Sequence, residues 1–153
     1  MNDAPSKWHS ALGRLPVVEA GCWAIGGSVA LALHGLPVVP RDLDLLADHI
    51  SAEALIVGFG DAVMSDEHQW ERGDVRAARR VMAVVEDMEV EILVGVETVI
   101  DGAIVLGTPL LDVVDSIAVG SRWFPVLSLS TMAVVLDSMG KRELALMVRD
   151  SQS

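Results

Sequence analysis

The sequence has few cysteines and few aromatic residues. Its 153 residues include one cysteine, two phenylalanines and no tyrosine. The single cysteine, Cys22, excludes an internal disulfide framework and cysteine-rich zinc sites. No apolar run approaches the roughly 18 residues that a membrane-spanning helix needs. The N-terminal segment MNDAPSKWHSALGR has no apolar centre of the signal-peptide kind. We therefore expect a cytoplasmic protein without a membrane partner.

Positive charge is also scarce. Eleven Lys and Arg residues stand against 22 Asp and Glu residues, which gives a formal net charge of −11. Because nucleic-acid binders usually present a basic face, this balance argues against strong binding to a phosphate backbone unless a local basic patch exists. It fits a cationic substrate, a metal–nucleotide complex or a protein partner, and solubility alone also explains it. The densest basic cluster could steer a phosphate or could simply be solvated: Arg72, Arg76, Arg79 and Arg80.

The length and composition predict one globular domain. The hydrophobic fraction is 52% and the charged fraction is 22%, which is typical of a folded rather than a disordered chain. We expect a single domain over residues 1–153, with a core in 20–95 and a C-terminal helical part in 108–150. Strand and helix patterns are mixed without regular βαβ alternation, which predicts an α+β or mixed α/β class.

Periodicity and capping signals predict the individual elements. Ser28 is the expected N-cap of a helix that closes at Gly35, and Ser51 is expected to open a helix that runs to residue 65. Residues 66–74 are predicted as a polar loop, followed by a hairpin that turns at Glu86 and Asp87. The other predicted elements are helices at 7–15, 110–119, 128–139 and 141–150, and strands at 22–26, 42–48, 104–106 and 123–127.

A Gly-Gly-Ser turn stands between the predicted strand at 22–26 and the helix that follows it. Gly26 and Gly27 allow the backbone to approach a ligand closely and to adopt φ values that other residues avoid. The free N–H groups at the start of the next helix suit a triphosphate, and Ser28 adds a hydroxyl donor. The turn is therefore a candidate phosphate-binding element.

Two carboxylates, Asp42 and Asp44, lie two residues apart on a predicted strand, so their side chains share one face. Such a pair repels when empty and suits a hard cation with oxygen ligands. Mg²⁺ is usually held by one or two carboxylates together with substrate phosphates. A third carboxylate on a neighbouring strand could complete a second metal site or act as a general base. Glu91 is the candidate, with Glu89 as the fallback, and a solvated hairpin face is the alternative for both.

The segments IGGSVALALHG and RDLDLL resemble the nucleotidyltransferase superfamily, which includes DNA polymerase β, the aminoglycoside and lincosamide nucleotidyltransferases, and small toxin–antitoxin-associated members. Gly27-Ser28, the thirteen residues Val29–Arg41 and the run Asp42-Leu43-Asp44-Leu45 match the family's core pattern. Val90-Glu91-Ile92 matches its third acidic element. The resemblance covers about residues 20–95, with a weaker likeness in FPVLSLSTMAVVL.

The resemblance implies a mixed sheet flanked by helices and the transfer of a nucleoside monophosphate from an NTP such as ATP to a hydroxyl group, with pyrophosphate leaving. By the same resemblance, Asp42 and Asp44 would bind Mg²⁺ (or Mn²⁺), and Glu91 would bind metal or activate the acceptor hydroxyl. Contacts to the nucleotide are expected from four residues: Gly26, Gly27, Ser28 and Arg41. Many relatives carry Arg and Thr where this chain has Val38 and Pro40.

The acceptor and one competing function stay open. An acidic chain suits a cationic small molecule as acceptor, and an RNA end or a hydroxyl of a partner protein are the next options. The alternative function is a non-catalytic interaction protein or nucleotide sensor that kept the fold, either as a homodimer or as one half of a toxin–antitoxin pair. The apolar segment 128–148 would then pack against the partner.

Overall fold

The computed structural model describes residues 6–18, 22–100, 103–106 and 114–152, with the backbone alone at 98–100 and 103–106. This part of the chain contains five α-helices and nine β-strands, so the predicted α+β class is confirmed. No helix within it is long and apolar enough to cross a membrane. The helices are α1 (Lys7–Gly13), α2 (Gly27–Leu33), α3 (His49–Phe59), α4 (Leu129–Ser138) and α5 (Arg142–Ser151).

The described strands form one mixed sheet. They are β1 (Trp23–Gly26), β2 (Asp42–Ala47), β3 (Val63–Arg72), β4 (Val75–Val85), β5 (Met88–Val94), β6 (Glu97–Ile100), β7 (Ala103–Leu106), β8 (Val114–Val119) and β9 (Arg122–Leu127). The hydrogen-bonded order is β7-β6-β4-β5-β2-β1-β9-β8, and β3 also pairs with β4, outside this path. The β2–β5 and β1–β9 pairs are parallel, and the other pairs are antiparallel.

Helices cover both faces of the sheet centre. On β4, Arg79 contacts Glu53 of α3 whereas the next residue, Arg80, contacts Glu91 of β5. Because successive side chains of a strand point to opposite faces, α3 and Glu91 lie on opposite sides of the sheet. The described core includes the fully buried Leu43, Leu45 and Ile92 of β2 and β5, together with apolar side chains of the helices. The two acidic strands, β2 and β5, therefore lie at the centre of the sheet and are held there by buried apolar side chains.

Two helices begin at residues other than those that the sequence predicted. Gly26, and not Ser28, is the N-cap of α2. The N-cap of α3 is Asp48, and its carboxylate accepts the backbone N–H of Ser51 at 2.8 Å. Asp and Ser are about equally good N-cap residues, but Asp48 stands at the start of α3 whereas Ser51 lies within its first turn. The helix α3 ends at Phe59, so the predicted extension to residue 65 is wrong.

The predicted polar loop at 66–74 is wrong, because β3 runs through Arg72. The strand shows no hydrophobic alternation because most of its side chains are exposed. Cross-strand ion pairs connect it to β4, including Asp66 with Arg79 and Glu67 with Arg80. Pairing of this kind between opposite charges stabilises a strand that has no apolar face.

The expected C-terminal helical part, residues 108–150, is not wholly helical, and the predicted helix is wrong at residues 114–119. Residues 114–119, predicted as the end of a helix, form β8 and pair with β9. The strand Val114–Val119 has only half-buried and exposed positions, which fits the edge position of β8 in the sheet. Residues 107–113 lie outside the described part of the chain. The two later helices are confirmed, with the Ser128 side chain capping α4.

The hairpin between β4 and β5 offers a stabilising change. Val85 pairs with Met88 across a two-residue turn, in which Glu86 and Asp87 have φ values of 52° and 61°. Two positive φ angles define a type I′ turn, which favours glycine at its second position. Asp87→Gly is therefore expected to raise the free energy of unfolding by about 0.5–1 kcal/mol, measured by urea denaturation. A lower midpoint in the variant would contradict the turn assignment.

Candidate functional site

The Gly-Gly-Ser turn lies directly against the second aspartate of the Asp-Leu-Asp strand. Gly26 pairs with Asp44 across the β1–β2 ladder, and Gly27 begins α2 with φ +61°. A Cβ atom at Gly27 would overlap Oδ2 of Asp44 and would lie 2.9 Å from its Cγ. Only a residue without a Cβ atom fits against Asp44 at this position. The Asp44 side chain therefore requires a glycine at position 27.

Other contacts fix the position of this turn. A Cβ atom at Gly26 would lie 2.6 Å from Cδ1 of Leu46, so this position is also closely packed. The end of α2 is closed by Gly35, whose N–H donates to the Ala32 carbonyl, and by the next residue, whose N–H donates to Leu31. This is the hydrogen-bond pattern of a Schellman cap. His34 Nε2 donates to the Leu127 carbonyl of β9 at 2.8 Å, so His34 connects α2 to the sheet and is not a free catalytic base.

The three predicted acids lie on adjacent parallel strands. In the β2–β5 ladder, Asp42 is the partner of Glu89 and Asp44 is the partner of Glu91. Asp42 and Glu89 are exposed, whereas Asp44 and Glu91 are half-buried. Glu91 rather than Glu89 is therefore the carboxylate beside Asp44. The sheet brings the predicted trio Asp42, Asp44 and Glu91 to one region of its surface.

Asp44 has an unusual pKa. Burial, with a smaller effect of the negative charges of Asp42 and Glu91, raises the pKa of its carboxyl from 3.8 to about 7. The positive charges of Lys141 and Arg72 lower it in part. A carboxylate that is both desolvated and surrounded by like charge is poorly stabilised without a cation. Perturbed groups of this kind are concentrated at functional sites.

Asp44→Asn is expected to stabilise the metal-free protein at pH 8. Because the folded pKa of about 7 exceeds the ordinary 3.8, the folded protein binds this proton more tightly than the unfolded chain. The contribution to stability is therefore largest below pH 4 and is lost as the pH rises to about 7. At about 1.4 kcal/mol per pKa unit, the ionised carboxylate costs at most about 4 kcal/mol.

The measurement is urea unfolding of wild type and Asp44→Asn at pH 5 and pH 8 in the presence of EDTA. The stability advantage of the variant should grow by about 2–3 kcal/mol between the two pH values. An advantage that is the same at both pH values would show that Asp44 does not titrate in this range.

Positive side chains face the acids from two other parts of the fold. Arg80 of β4 donates from Nε to Oε2 of Glu91 at 2.7 Å, and this hydrogen bond raises the pKa of the Arg80 guanidinium. Lys141 precedes α5 and lines a cavity of about 50 Å³ together with Gly27, Asp44 and Glu91. The remaining lining of that cavity is mainly apolar, including side chains of α4.

The other predicted nucleotide-binding residues, Arg41 and Ser28, differ in their exposure to solvent. Arg41 is exposed and adjoins Asp42, and it forms no ion pair with the described residues. Ser28 is half-buried in the first turn of α2. Among the described residues, no three His, Cys, Asp or Glu side chains converge as a ready set of metal ligands. Asp42 and Asp44 thus lie two residues apart on β2, while the third predicted acid, Glu91, is paired with Arg80.

The sequence did not point to Lys141 as part of the site, and it indicated Arg72 only as a member of a basic cluster that could steer a phosphate or be solvated. Both lie far along the chain from Asp44, and no local motif distinguishes them from other surface cations. The turn after Arg72 packs against the end of α4, where the Asp74 N–H donates to the Ser138 carbonyl at 2.9 Å. This contact brings the β3–β4 hairpin and the α4–α5 junction together beside the acids. Only the tertiary fold provides that information.

Comparison with known proteins identifies the fold. Neither the protein-family profiles nor the curated protein sequences compared with the chain give a match. Among solved structures, a presumed nucleotidyltransferase from Thermotoga maritima has a TM-score of 0.74 at 21% identity, covering 95% of this chain and 89% of its own. The aminoglycoside nucleotidyltransferase ANT(2″)-Ia, in complex with adenylyl-2″-tobramycin, has a TM-score of 0.53 at 14% identity, covering 95% and 87%. The chain thus has a nucleotidyltransferase-like fold, as its motifs predicted.

Proposed function

We propose that the chain is a Mg²⁺-dependent nucleotidyltransferase that moves a nucleoside monophosphate from an NTP to a hydroxyl group. The supporting observation is the contact of Gly27 with the Asp44 carboxylate, in which a Cβ atom would overlap the side-chain oxygen. A backbone turn suited to phosphates therefore touches a carboxylate suited to a cation. A metal–triphosphate complex requires both elements at one place.

Asp42 and Asp44 are the residues that would hold Mg²⁺ (or Mn²⁺). They lie two residues apart on β2, and burial together with the negative charges of Asp42 and Glu91 raises the pKa of Asp44, so that a bound cation would stabilise its ionised form. Oxygen ligands with excess negative charge fit a hard divalent cation. When bound, this ion would neutralise phosphate charge and polarise the α-phosphate.

The remaining residues act on the substrate directly. The backbone and hydroxyl of the turn Gly26–Ser28, together with Arg41, would donate to oxygens of the β- and γ-phosphates. The acceptor oxygen would form a bond to the α-phosphorus while the bond to the β-phosphate oxygen breaks, so that pyrophosphate leaves. Glu91 would bind the divalent ion or take the proton of the acceptor hydroxyl. Lys141 and Arg72, whose charges already act on Asp44, would offset the charge of the departing pyrophosphate.

A cationic small molecule is the acceptor that the charges favour. The net charge of the chain is −11, and Asp42 and Glu89 are exposed beside the proposed site. The similar fold of ANT(2″)-Ia, in complex with an adenylylated aminoglycoside, supports the same class of acceptor. The basic cluster does not favour RNA, because most of its charge is already paired: Arg76 with Glu97, Arg79 with Glu53 and Asp66, and Arg80 with Glu91 and Glu67.

The test is transfer of label from each α-³²P-labelled NTP, with Mg²⁺ or Mn²⁺, to three acceptors: an aminoglycoside, a tRNA and a serine-rich protein. Labelled aminoglycoside together with released pyrophosphate would establish the activity and its acceptor class. Label on tRNA or protein would keep the activity and reject the cationic acceptor. No transfer and no pyrophosphate release under any condition would reject the enzyme.

A non-catalytic nucleotide-binding or interaction protein is the second candidate, and two observations favour it. Glu91 is already paired with Arg80, and the cavity beside Asp44 is about 50 Å³, well below the roughly 300 Å³ of a typical ligand site. Exposed apolar side chains such as Trp123 and Leu146 would then face a protein partner or a second copy. Mg²⁺-dependent NTP binding without pyrophosphate release would select the nucleotide-binding form of this function.

A further inference from the structure

Arg80 lies between two carboxylates on the site face of the sheet. Its Nε donates to Oε2 of Glu91 at 2.7 Å, and its NH1 lies 3.5 Å from Oε1 of Glu67. The Arg80 and Glu91 side chains are 26% and 18% exposed, whereas that of Glu67 is 56% exposed. The shorter pair, Arg80 with Glu91, is therefore the more buried one. The longer pair, Arg80 with Glu67, lies nearer to solvent on β3.

The short ion pair of Arg80 involves Glu91, the proposed third acid of the site. Glu91 is the register partner of Asp44, yet no three metal-ligating side chains converge within the described residues. The Arg80 guanidinium already donates to Oε2 of Glu91, and this charge-assisted hydrogen bond competes with a cation for the same carboxylate. A divalent ion that uses Glu91 must first displace Arg80.

We propose that Arg80 is a displaceable counter-ion, which neutralises Glu91 in the metal-free protein and moves to Glu67 when a divalent cation binds beside Asp44. This inference rests on the proposed function, since it assumes that a cation binds there. Arg80 acts through Glu91 and is a positioning residue. It keeps clustered acids from repelling one another in the empty protein, and it weakens divalent binding in the absence of substrate.

Exchange is physically accessible because Arg80 has a second partner already within reach. Breaking a partly buried ion pair and leaving one charge alone is strongly destabilising. Here the guanidinium would keep a carboxylate throughout, because Glu67 lies on the neighbouring strand in direct register with Arg80. The cation would in turn replace the positive charge lost by Glu91. Arg80 and Glu91 would therefore each have a partner of opposite charge both in the metal-free and in the cation-bound protein.

The test is Mn²⁺ titration of the nucleotide-free protein, followed by the electron paramagnetic resonance signal of free Mn²⁺. Arg80→Gln is expected to bind Mn²⁺ about tenfold more tightly than wild type, and Glu67→Gln about threefold more weakly. In the Arg80→Gln/Glu67→Gln double variant, the loss of Glu67 should have no further effect, because Glu67 acts only through Arg80. General electrostatics predicts instead that the two single effects add.

Arg79→Gln is the matched control. Arg79 precedes Arg80 on the same strand but is paired with Glu53 and Asp66 on the other face, so its removal should leave Mn²⁺ affinity unchanged. Unchanged affinity in Arg80→Gln, or additive effects in the double variant, would overturn the exchange. If wild type still binds Mn²⁺–NTP in a manner that requires Asp44, the proposed function survives that result. Absence of Mn²⁺ binding in every variant, with and without NTP, would overturn both.

Discussion

Gly27→Ala is expected to lower the free energy of unfolding by about 2–5 kcal/mol and to abolish Mg²⁺-dependent NTP binding. An alanine at φ +61° costs about 1–2 kcal/mol in backbone strain. Its Cβ would overlap Oδ2 of Asp44 and lie 3.1 Å from the Asp44 Cβ, and overpacking of this kind adds typically 1–3 kcal/mol. Urea denaturation measures the loss of stability, and NTP-dependent thermal shifts measure the loss of binding.

Gly120→Ala separates the two contributions. Gly120 has φ +63°, and a Cβ atom there would meet nothing within 4 Å, so its variant carries backbone strain without the overlap. Gly27→Ala/Asp44→Ala removes the overlapping oxygen and Cγ, and it should recover part of the stability lost in Gly27→Ala. A cost in Gly27→Ala no larger than that in Gly120→Ala would contradict the close contact between the turn and Asp44.

Asp44→Asn is expected to reduce nucleotidyl transfer by about 10³-fold or more, equivalent to roughly 4 kcal/mol of transition-state stabilisation. The amide keeps the shape of the side chain but lacks the charge that holds the divalent ion, and such an ion contributes several kcal/mol to charge stabilisation. The same variant is expected to be more stable than wild type at pH 8. Opposite changes in activity and stability exclude misfolding as the cause of the lost activity.

Glu89→Gln and Glu91→Gln decide which acid on β5 takes part. Glu91 neighbours Asp44, whereas Glu89 is exposed opposite Asp42, so only Glu91→Gln should lower kcat strongly. Initial rates with saturating NTP and Mg²⁺ measure this. If Glu89→Gln gives the larger loss, the assignment of the third acid is wrong. If Asp44→Asn retains wild-type rates, the metal site itself is misplaced.

The centre of the site could be predicted because its signals are local. A glycine pair at a strand end and the alternation Asp42-Leu43-Asp44 each follow from backbone geometry within a few residues. The third acid was predicted less sharply, as Glu91 with Glu89 as the fallback, and it is the β2–β5 register that sets Glu91 beside Asp44. Local signals of this kind predicted the glycine turn and the acidic strand, although the N-cap of α2 is Gly26 rather than the predicted Ser28.

The strand β3 and the positive residues around the acids could not be predicted, because their positions depend on contacts with residues far away in the sequence. The strand β3 has charged and polar side chains on both faces, and its pairing depends on arginines of β4. The position of Lys141 depends on how α4 and α5 pack. The ion pair of Arg80 with Glu91 converts a predicted free carboxylate into an occupied one. Spacing in the sequence contains no information on such non-local pairs.

Thermal unfolding with each NTP, with and without Mg²⁺, tests the central claim most directly. Wild type and Asp42→Asn/Asp44→Asn are each compared with their own ligand-free baseline at pH 8. A ligand at about 100 times its Kd adds about 2.7 kcal/mol, which corresponds to a rise of roughly 5–10 °C in Tm for a chain of this size. We predict such a rise for wild type with at least one NTP, only with Mg²⁺, and none for the double variant. An NTP shift that persists without Mg²⁺ or in the double variant, or no shift with any NTP, would contradict a metal–nucleotide site at Asp42 and Asp44.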